Sequence, residues 1–307
     1  MALTLVLAAG GFGAGAFGAL LGLGGGVLIV PMLALGFGLP FREAVAISLL
    51  AVIATSSASA ATYLRRGAAN LRLGLTLEVL TVIGALVGGL VAFAIDERLI
   101  AAAFAAMLVY VAISMARPRQ GVAAPPAPDE AVVEPDPSAT DDDPAVAAAQ
   151  TNLAPAAAAR GVAPTDAPMS LRASLSRPDY VVRNLPVGLA LSGLAGMVSA
   201  LLGVGGGIIK VPTMHLAMGL PLRAATATSN LTIGVTASAS AVLYILRDAI
   251  DPLVAAPVLV GTFLGATTAA LVAPRVPVAL LRWIFVVVLL YVAVQMVMRA
   301  VGLVPIA

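Results

Sequence analysis

Cysteine is absent from this 307-residue chain, and lysine and histidine occur once each, as Lys210 and His215. Without thiols there is no disulfide, no thiolate nucleophile and no cysteine-ligated metal, and the redox compartment cannot be read. Charge is also scarce: 10% of residues are charged, against about 25% in an average soluble domain. The net charge of +2 comes mostly from arginines near the ends of apolar stretches. That is how membrane segments are oriented, not how nucleic acid is gripped, so a nucleic-acid partner is excluded. The reading calls for no cofactor and no metal.

What fills the chain instead is apolar, 61% of it. Runs such as LEVLTVIGALVGGLVAFAI and LLRWIFVVVLLYVAVQMVM meet the roughly 20 residues that a helix needs to cross a hydrocarbon core of about 30 Å. Lipid offers backbone groups no hydrogen-bond partner, and these runs are continuously apolar, not alternating, so helices are favoured over a barrel. The expected fold is an all-α polytopic membrane protein. The start, MALTLVLAAGG, lacks the basic region of a signal peptide and is expected to be retained.

Apolar stretches lie at about Leu3–Leu23, Val27–Leu39, Ala44–Leu64, Leu75–Ile95 and Leu99–Met115. A second set lies at about Pro186–Val204, Ile208–Leu220, Ala224–Leu246, Pro252–Val272 and Val278–Val301. Val27–Leu39 and Ile208–Leu220 are too short to cross comfortably and read as half-helices or re-entrant segments. Residues 118–178, rich in Ala, Pro and Asp, read as a disordered linker between membrane regions 1–117 and 179–307. A shift of 181 positions lays ALLGLGGGVLIVP on ALLGVGGGIIKVP, GLPFREA on GLPLRAA and TSSASAATYLRR on TASASAVLYILR. The same register pairs Gly84 with Gly265 and Tyr110 with Tyr291. The chain therefore reads as a tandem duplication, each half with about four membrane segments including a glycine-broken one. Duplicated transporters keep their site near mid-membrane between the halves.

The candidate site follows from that frame. Gly24, Gly25 and Gly26, and their counterparts Gly205, Gly206 and Gly207, are each followed by a proline, Pro31 and Pro212. Bare glycine backbone before a proline-broken helix offers directed N–H groups and a positive helix end to an anion. The competing reading is close helix packing on glycine. Lys210 lies between the second triplet and Pro212, opposite Ile29 in the other half. An ammonium in an apolar segment is a functional residue or one that snorkels to the interface. Taken as functional, Lys210→Met is expected to lose anion binding with stability unchanged. His215 could carry a coupling proton or could merely pack. Thr228, Ser229 and Asn230, within TATSNLT, and Ser48 in the first half could solvate an oxyanion or could tie helices together. Arg42, Arg223, Arg66 and Arg247 recur in both halves and read as helix-end anchors. Apart from loop pairs such as Asp96 and Glu97, the membrane segments read as almost free of acids, which argues against a carboxylate-lined cation path.

These motifs, GLGGGVLIVP with GLPFREAVAIS and GVGGGIIKVP with GLPLRAATATSN, resemble those of the sulfite exporter TauE/SafE family of anion permeases. The resemblance covers both halves but not the linker. It implies transport of sulfite, a sulfonate or a related organosulfur anion, driven by an ion gradient of H+ or Na+. The expected partners are thus a small anionic solute, the lipid bilayer and a coupling ion, with room for a homo-oligomer. The expected location is the cell membrane of a prokaryote, crossed many times. Arg117, Arg119, Arg172, Arg177 and Arg183 flank the linker and put it on the cytoplasmic side; the basic bias is stronger if the repeats are inverted. A passive anion channel is the nearest alternative. An intramembrane enzyme is the more distant one, since no HExxH or GxSxG is present and no acid is placed to orient His215.

Overall fold

The computed structural model describes residues 2–21, 24–65, 69–116, 175, 180–272 and 278–300. The expected linker, 118–178, lies outside the described residues except for Leu175. Among the described residues the chain is all helical, in the order α1 (Ala2–Leu21), α2 (Gly26–Pro31), α3 (Phe41–Arg65), α4 (Leu71–Ala94) and α5 (Glu97–Ala116). Then come α6 (Leu185–Leu202), α7 (Gly207–Pro212), α8 (Leu222–Ile245), α9 (Pro252–Val272) and α10 (Val278–Ala300). The short helices α2 and α7 each run through their proline into a π-helical turn, Met32–Gly36 and Thr213–Ala217. Among the described residues each half thus shows four long helices besides the short one, in line with the five apolar stretches read along it.

Six of the long helices, α1, α3, α4, α5, α6 and α9, contain apolar spans long enough to cross a membrane. Helix α8 is 24 residues long but falls outside that set, because Thr228, Ser229, Asn230, Thr232 and Thr236 dilute its apolar run. Large apolar side chains are turned outward along one face, as with Leu75, Val79, Ile83 and Leu90 of α4. So much exposed hydrocarbon is stable only against lipid, and the chain is a multi-pass membrane protein.

With lipid outside, apolar burial cannot drive the helices together, and close backbone approach does so instead. A Cβ on Gly84 would lie 1.9 Å from the Gly193 carbonyl oxygen, and one on Gly88 would lie 2.4 Å from that of Met197. Contacts that advance four residues on both helices mean that α4 and α6 run parallel. Helices α1 and α9 also run parallel, with Gly261 on Ala8 and Gly265 on Phe12. The first helix of each half is therefore clasped by the fourth of the other.

The short helices fold back along the helices that precede them. Gly25 lies beside Ala14 and Gly15, and Met32 reaches Gly10. In the second half, Gly206 lies beside Ala195 and Ser199, and Met218 reaches Gly188. Arg42, at the start of α3, donates to the Ala92 and Ile95 carbonyls at 3.2 and 2.8 Å and lies 3.7 Å from Glu97. Its anchor is thus the end of α4, whose last carbonyls carry the negative end of the helix dipole. Arg247 stacks over Phe93 at 5.0 Å. Arg66 and the side chain of Arg223 lie outside the described residues.

Candidate functional site

The two glycine turns meet at the centre of the bundle. A Cβ on Gly26 would lie 2.4 Å from the Gly203 carbonyl oxygen, and Ser48 ties the turns together by donating to that oxygen at 2.7 Å. Val52 of α3 touches both Gly24 and Gly205, and Ile233 of α8 touches Gly205 and Gly207. Left-handed backbone at Gly24 (φ 65°) and at Gly205 and Gly206 (φ 75° and 72°) lets the chain reverse between a long helix and a short one. Side chains are strained in that conformation, which is why glycine holds these positions.

A crevice of about 20 Å³ opens beside the first turn, lined by Gly18, Gly24, Thr55, Ser56, Asn230 and Ile233. That is room for about one water molecule. Ser56 donates to the Asn230 carbonyl at 2.7 Å and accepts from the Gly234 amide at 3.2 Å, which pins α3 to α8 here.

The second turn has a different lining. Ser199 and Ser229 are fully buried, and their hydroxyls have no hydrogen-bond partner among the described residues. Ser229 Oγ would lie 3.5 Å from a Cβ on Gly207, and the Ser199 Cβ 3.4 Å from one on Gly206. A buried hydroxyl without a partner forfeits about 1–3 kcal/mol, so two of them at one turn mark a place equipped for a polar guest. At the opening of α7 the Ile209 and Lys210 amides donate to the Gly206 carbonyl at 3.2 and 3.0 Å, which closes the turn.

One turn farther along α7, Lys210 is 1% exposed and does not snorkel. Its Nζ donates to Glu78 Oε2 of α4 at 2.5 Å and to Thr232 Oγ1 of α8 at 3.0 Å. Glu78 Oε1 accepts in turn from the Thr236 hydroxyl. Glu78 is the buried exception in membrane segments that are otherwise almost free of acids, and it pairs with Lys210. It is also the functional candidate that motif comparison misses. The available signal was its position as the sole acid in the 24 residues of α4. Ser199 and Thr236 lie outside the expected site for a plainer reason, since hydroxyls are common in these helices, whereas Thr232 belongs to the TATSNLT cluster already read as able to solvate an oxyanion.

The expected residues thus fall into separate groups. Gly24, Gly25, Gly26, Gly205, Gly206, Gly207, Ser48, Ser229 and Asn230 surround the meeting point of the turns. Thr228 turns away to α4, where its Oγ1 accepts from the Asn70 amide at 2.9 Å, at the start of that helix. His215 lies in the π turn after α7, its Nδ1 2.7 Å from the Leu220 carbonyl oxygen, so Nδ1 carries the hydrogen. Among the described residues no acid contacts it.

A family model described as sulfite exporter TauE/SafE matches residues 7–296, nearly the whole chain. No curated protein and no solved structure matches.

Proposed function

Because this chain belongs to the sulfite exporter TauE/SafE family, we propose that it is a secondary transporter of a small oxyanion, namely sulfite, a sulfonate or a related organosulfur anion. The anion is held at the second glycine turn, where Gly205, Gly206 and Gly207 face the hydroxyls of Ser229 and Ser199. The observation that carries this reading is the pair of buried hydroxyls without partners beside a helix start in the middle of a membrane bundle. An oxyanion accepts from both hydroxyls and backbone amides, and charge-assisted hydrogen bonds are the strong ones. The first turn, Gly24, Gly25 and Gly26 with Ser48, braces the second, and Asn230 borders the crevice beside the first.

We further read the halves, 1–117 and 179–307, as inverted repeats. Helix α1 runs with α9, and α4 runs with both α6 and α8, where Gly74 lies on Thr228 and Gly89 on Leu243. Helix α2 returns along α1, so α3 starts where α1 starts and runs with it, while α4 returns. On this path α1 and α3 point one way, and their counterparts α6 and α8 point the other. Inverted repeats exchange two access states by rocking one half against the other around a central site. The arginines around residues 118–178 support a cytoplasmic linker, and the setting is the cell membrane of a prokaryote.

Binding of sulfite, sulfate, methanesulfonate and chloride to the purified protein, followed by flux in proteoliposomes, tests the proposal. Saturable sulfite or sulfonate exchange is expected. Chloride conduction without saturation would favour the channel, and no binding of any oxyanion would overturn the reading.

A further inference from the structure

We propose that Glu78 is the proton-binding group that couples transport: a proton on its carboxylate releases the Lys210 ammonium to the anion, so one proton accompanies each monovalent anion. This rests on the transport reading above.

The ion pair is not needed to build the fold. The repeat counterparts of Lys210 and Glu78 are Ile29 and Leu259, so the other half keeps the same helices with two apolar residues at the equivalent positions. A buried ion pair contributes little net stability compared with well-packed apolar side chains, which makes a purely structural role a weak reason to hold one. What the pair does offer is a charge that can be uncovered. At rest Glu78 and Lys210 sum to zero, and an anion entering next to them meets no net attraction. With a proton on Glu78, the ammonium and the anion form the neutral pair in its place. The low-dielectric interior then never holds an isolated charge.

The contacts suit both protonation states. Thr236 donates to Glu78 Oε1 in the ionised form, and the same hydroxyl can turn to accept from a protonated carboxyl. Lys210 Nζ uses two of its three donors on Glu78 and Thr232. Thr232, which accepts one of these bonds, donates its own hydrogen to the Ser229 carbonyl oxygen at 3.3 Å, one turn earlier on α8. Lys210 also stands one turn from Gly206, whose carbonyl accepts from the Lys210 amide at 3.0 Å. The backbone of Lys210 is therefore tied to the second turn while its ammonium is held by Glu78.

Among the described residues, the other charged side chains packed on α4 gather away from Glu78: Arg42 bonds the Ala92 and Ile95 carbonyls and Arg247 lies over Phe93, both at the far end of that helix. Helix α6 carries none. On α8, Tyr244 donates to the Ala200 carbonyl oxygen at the far end, and Arg223 stands at the start. Arg72 of α4 itself is exposed. His215, the sequence candidate for coupling, is engaged with Leu220.

The test uses the full chain in proteoliposomes with methanesulfonate, whose charge does not change over the working pH range, at zero membrane potential. Sulfite replaces it if only sulfite exchanges, with protein-free vesicles as the correction for its own protonation. The parent should concentrate the probe on the alkaline side, approaching about tenfold per pH unit for one-to-one coupling. Glu78→Gln should keep probe-for-probe exchange and lose all response to the pH gradient. An infrared difference spectrum of the purified protein should gain a protonated-carboxyl band when the probe binds; Glu78→Asp should move that band and Glu78→Gln should remove it. The spectrum of Glu78→Asp decides the matter if Glu78→Gln does not fold. Exchange by the parent with no gradient response and no Glu78-sensitive band would overturn the coupling and leave transport standing. Failure of the parent to exchange either probe would overturn the transport reading itself, and the coupling with it.

Discussion

The two glycine turns share a sequence pattern and differ in chemistry. In the first turn Ser48 is spent on structure, donating to Gly203 and Gly26 carbonyls. Its repeat counterpart, Ser229, is equally buried and has no partner among the described residues. Gly18 occupies in the first half the position of Ser199 in the second, Ile29 that of Lys210, and Ala51 that of Thr232. The backbone differs too: Gly25 is right-handed at φ −48°, whereas Gly206 is left-handed at 72°. Duplication supplied two copies of one bend, and the polar chemistry has gathered at one of them. On the transport reading proposed above, both turns serve the geometry of the bundle and one set of donors serves a single anion.

The largest effect should come from filling the second turn. Gly206→Leu would combine a left-handed backbone that side chains rarely adopt with a Cβ 3.1 Å from the Ala195 carbonyl oxygen. Loss of oxyanion exchange in a protein that still inserts is expected. Gly25→Leu probes the first turn, where a Cβ would lie 3.0 Å from the Ala14 carbonyl oxygen, and it should also stop flux. Normal flux in both variants would return the glycines to plain packing.

Next comes Lys210→Met. Viewed as an unpaired lysine, this position promised lost binding at unchanged stability. The structure replaces that expectation, because the substitution strands Glu78. Removing one partner of a buried pair costs about 3–5 kcal/mol. Thermal unfolding in detergent at neutral pH should therefore occur at a clearly lower temperature. The double variant Glu78→Gln with Lys210→Met should recover most of the stability without recovering anion binding. Equal unfolding temperatures for parent and Lys210→Met would mean that the pair is solvated and not buried.

The comparison is sharpest in the two serines. Ser229→Ala should weaken sulfite binding by about ten- to a hundredfold, roughly the 1.5–3 kcal/mol range of a hydrogen bond to a charged group, and leave the unfolding temperature close to the parent's. Ser48→Ala should do the reverse, lowering stability by about 1–3 kcal/mol because the Gly203 carbonyl loses its donor. Calorimetric titration and thermal unfolding of both variants would reveal a swapped pattern if the chemistry sits at the first turn.

The smallest effect should follow from replacing residues 120–174 with a short flexible tether, which is expected to leave flux close to the parent's. The cut spares Leu175, whose carbonyl accepts from the Asn70 side chain at 2.8 Å, at the start of α4. Complete loss of flux in a well-inserted deletion would make this segment part of the machinery.

The helical class, the break after each glycine triplet and the family were legible from the chain alone, because they depend on local quantities: the length of apolar runs, the conformational freedom of glycine and the missing N–H of proline. The match of the two glycine–proline motifs at a shift of 181 positions was legible as well, since it is a property of the string. What no reading along the chain could decide was partnership. Lys210 and Glu78 are 132 residues apart in sequence and 2.5 Å apart in space. The acid looked like one stray charge in an apolar run until α4 was laid against α7 and α8. In the same way Ser48 and Ser229 are equivalent as residues, and only the backbone carbonyls brought to one of them separate a brace from a donor in reserve. Hydrogen bonds and ion pairs act over a few ångströms, so their assignment belongs to the packing and not to the order of residues.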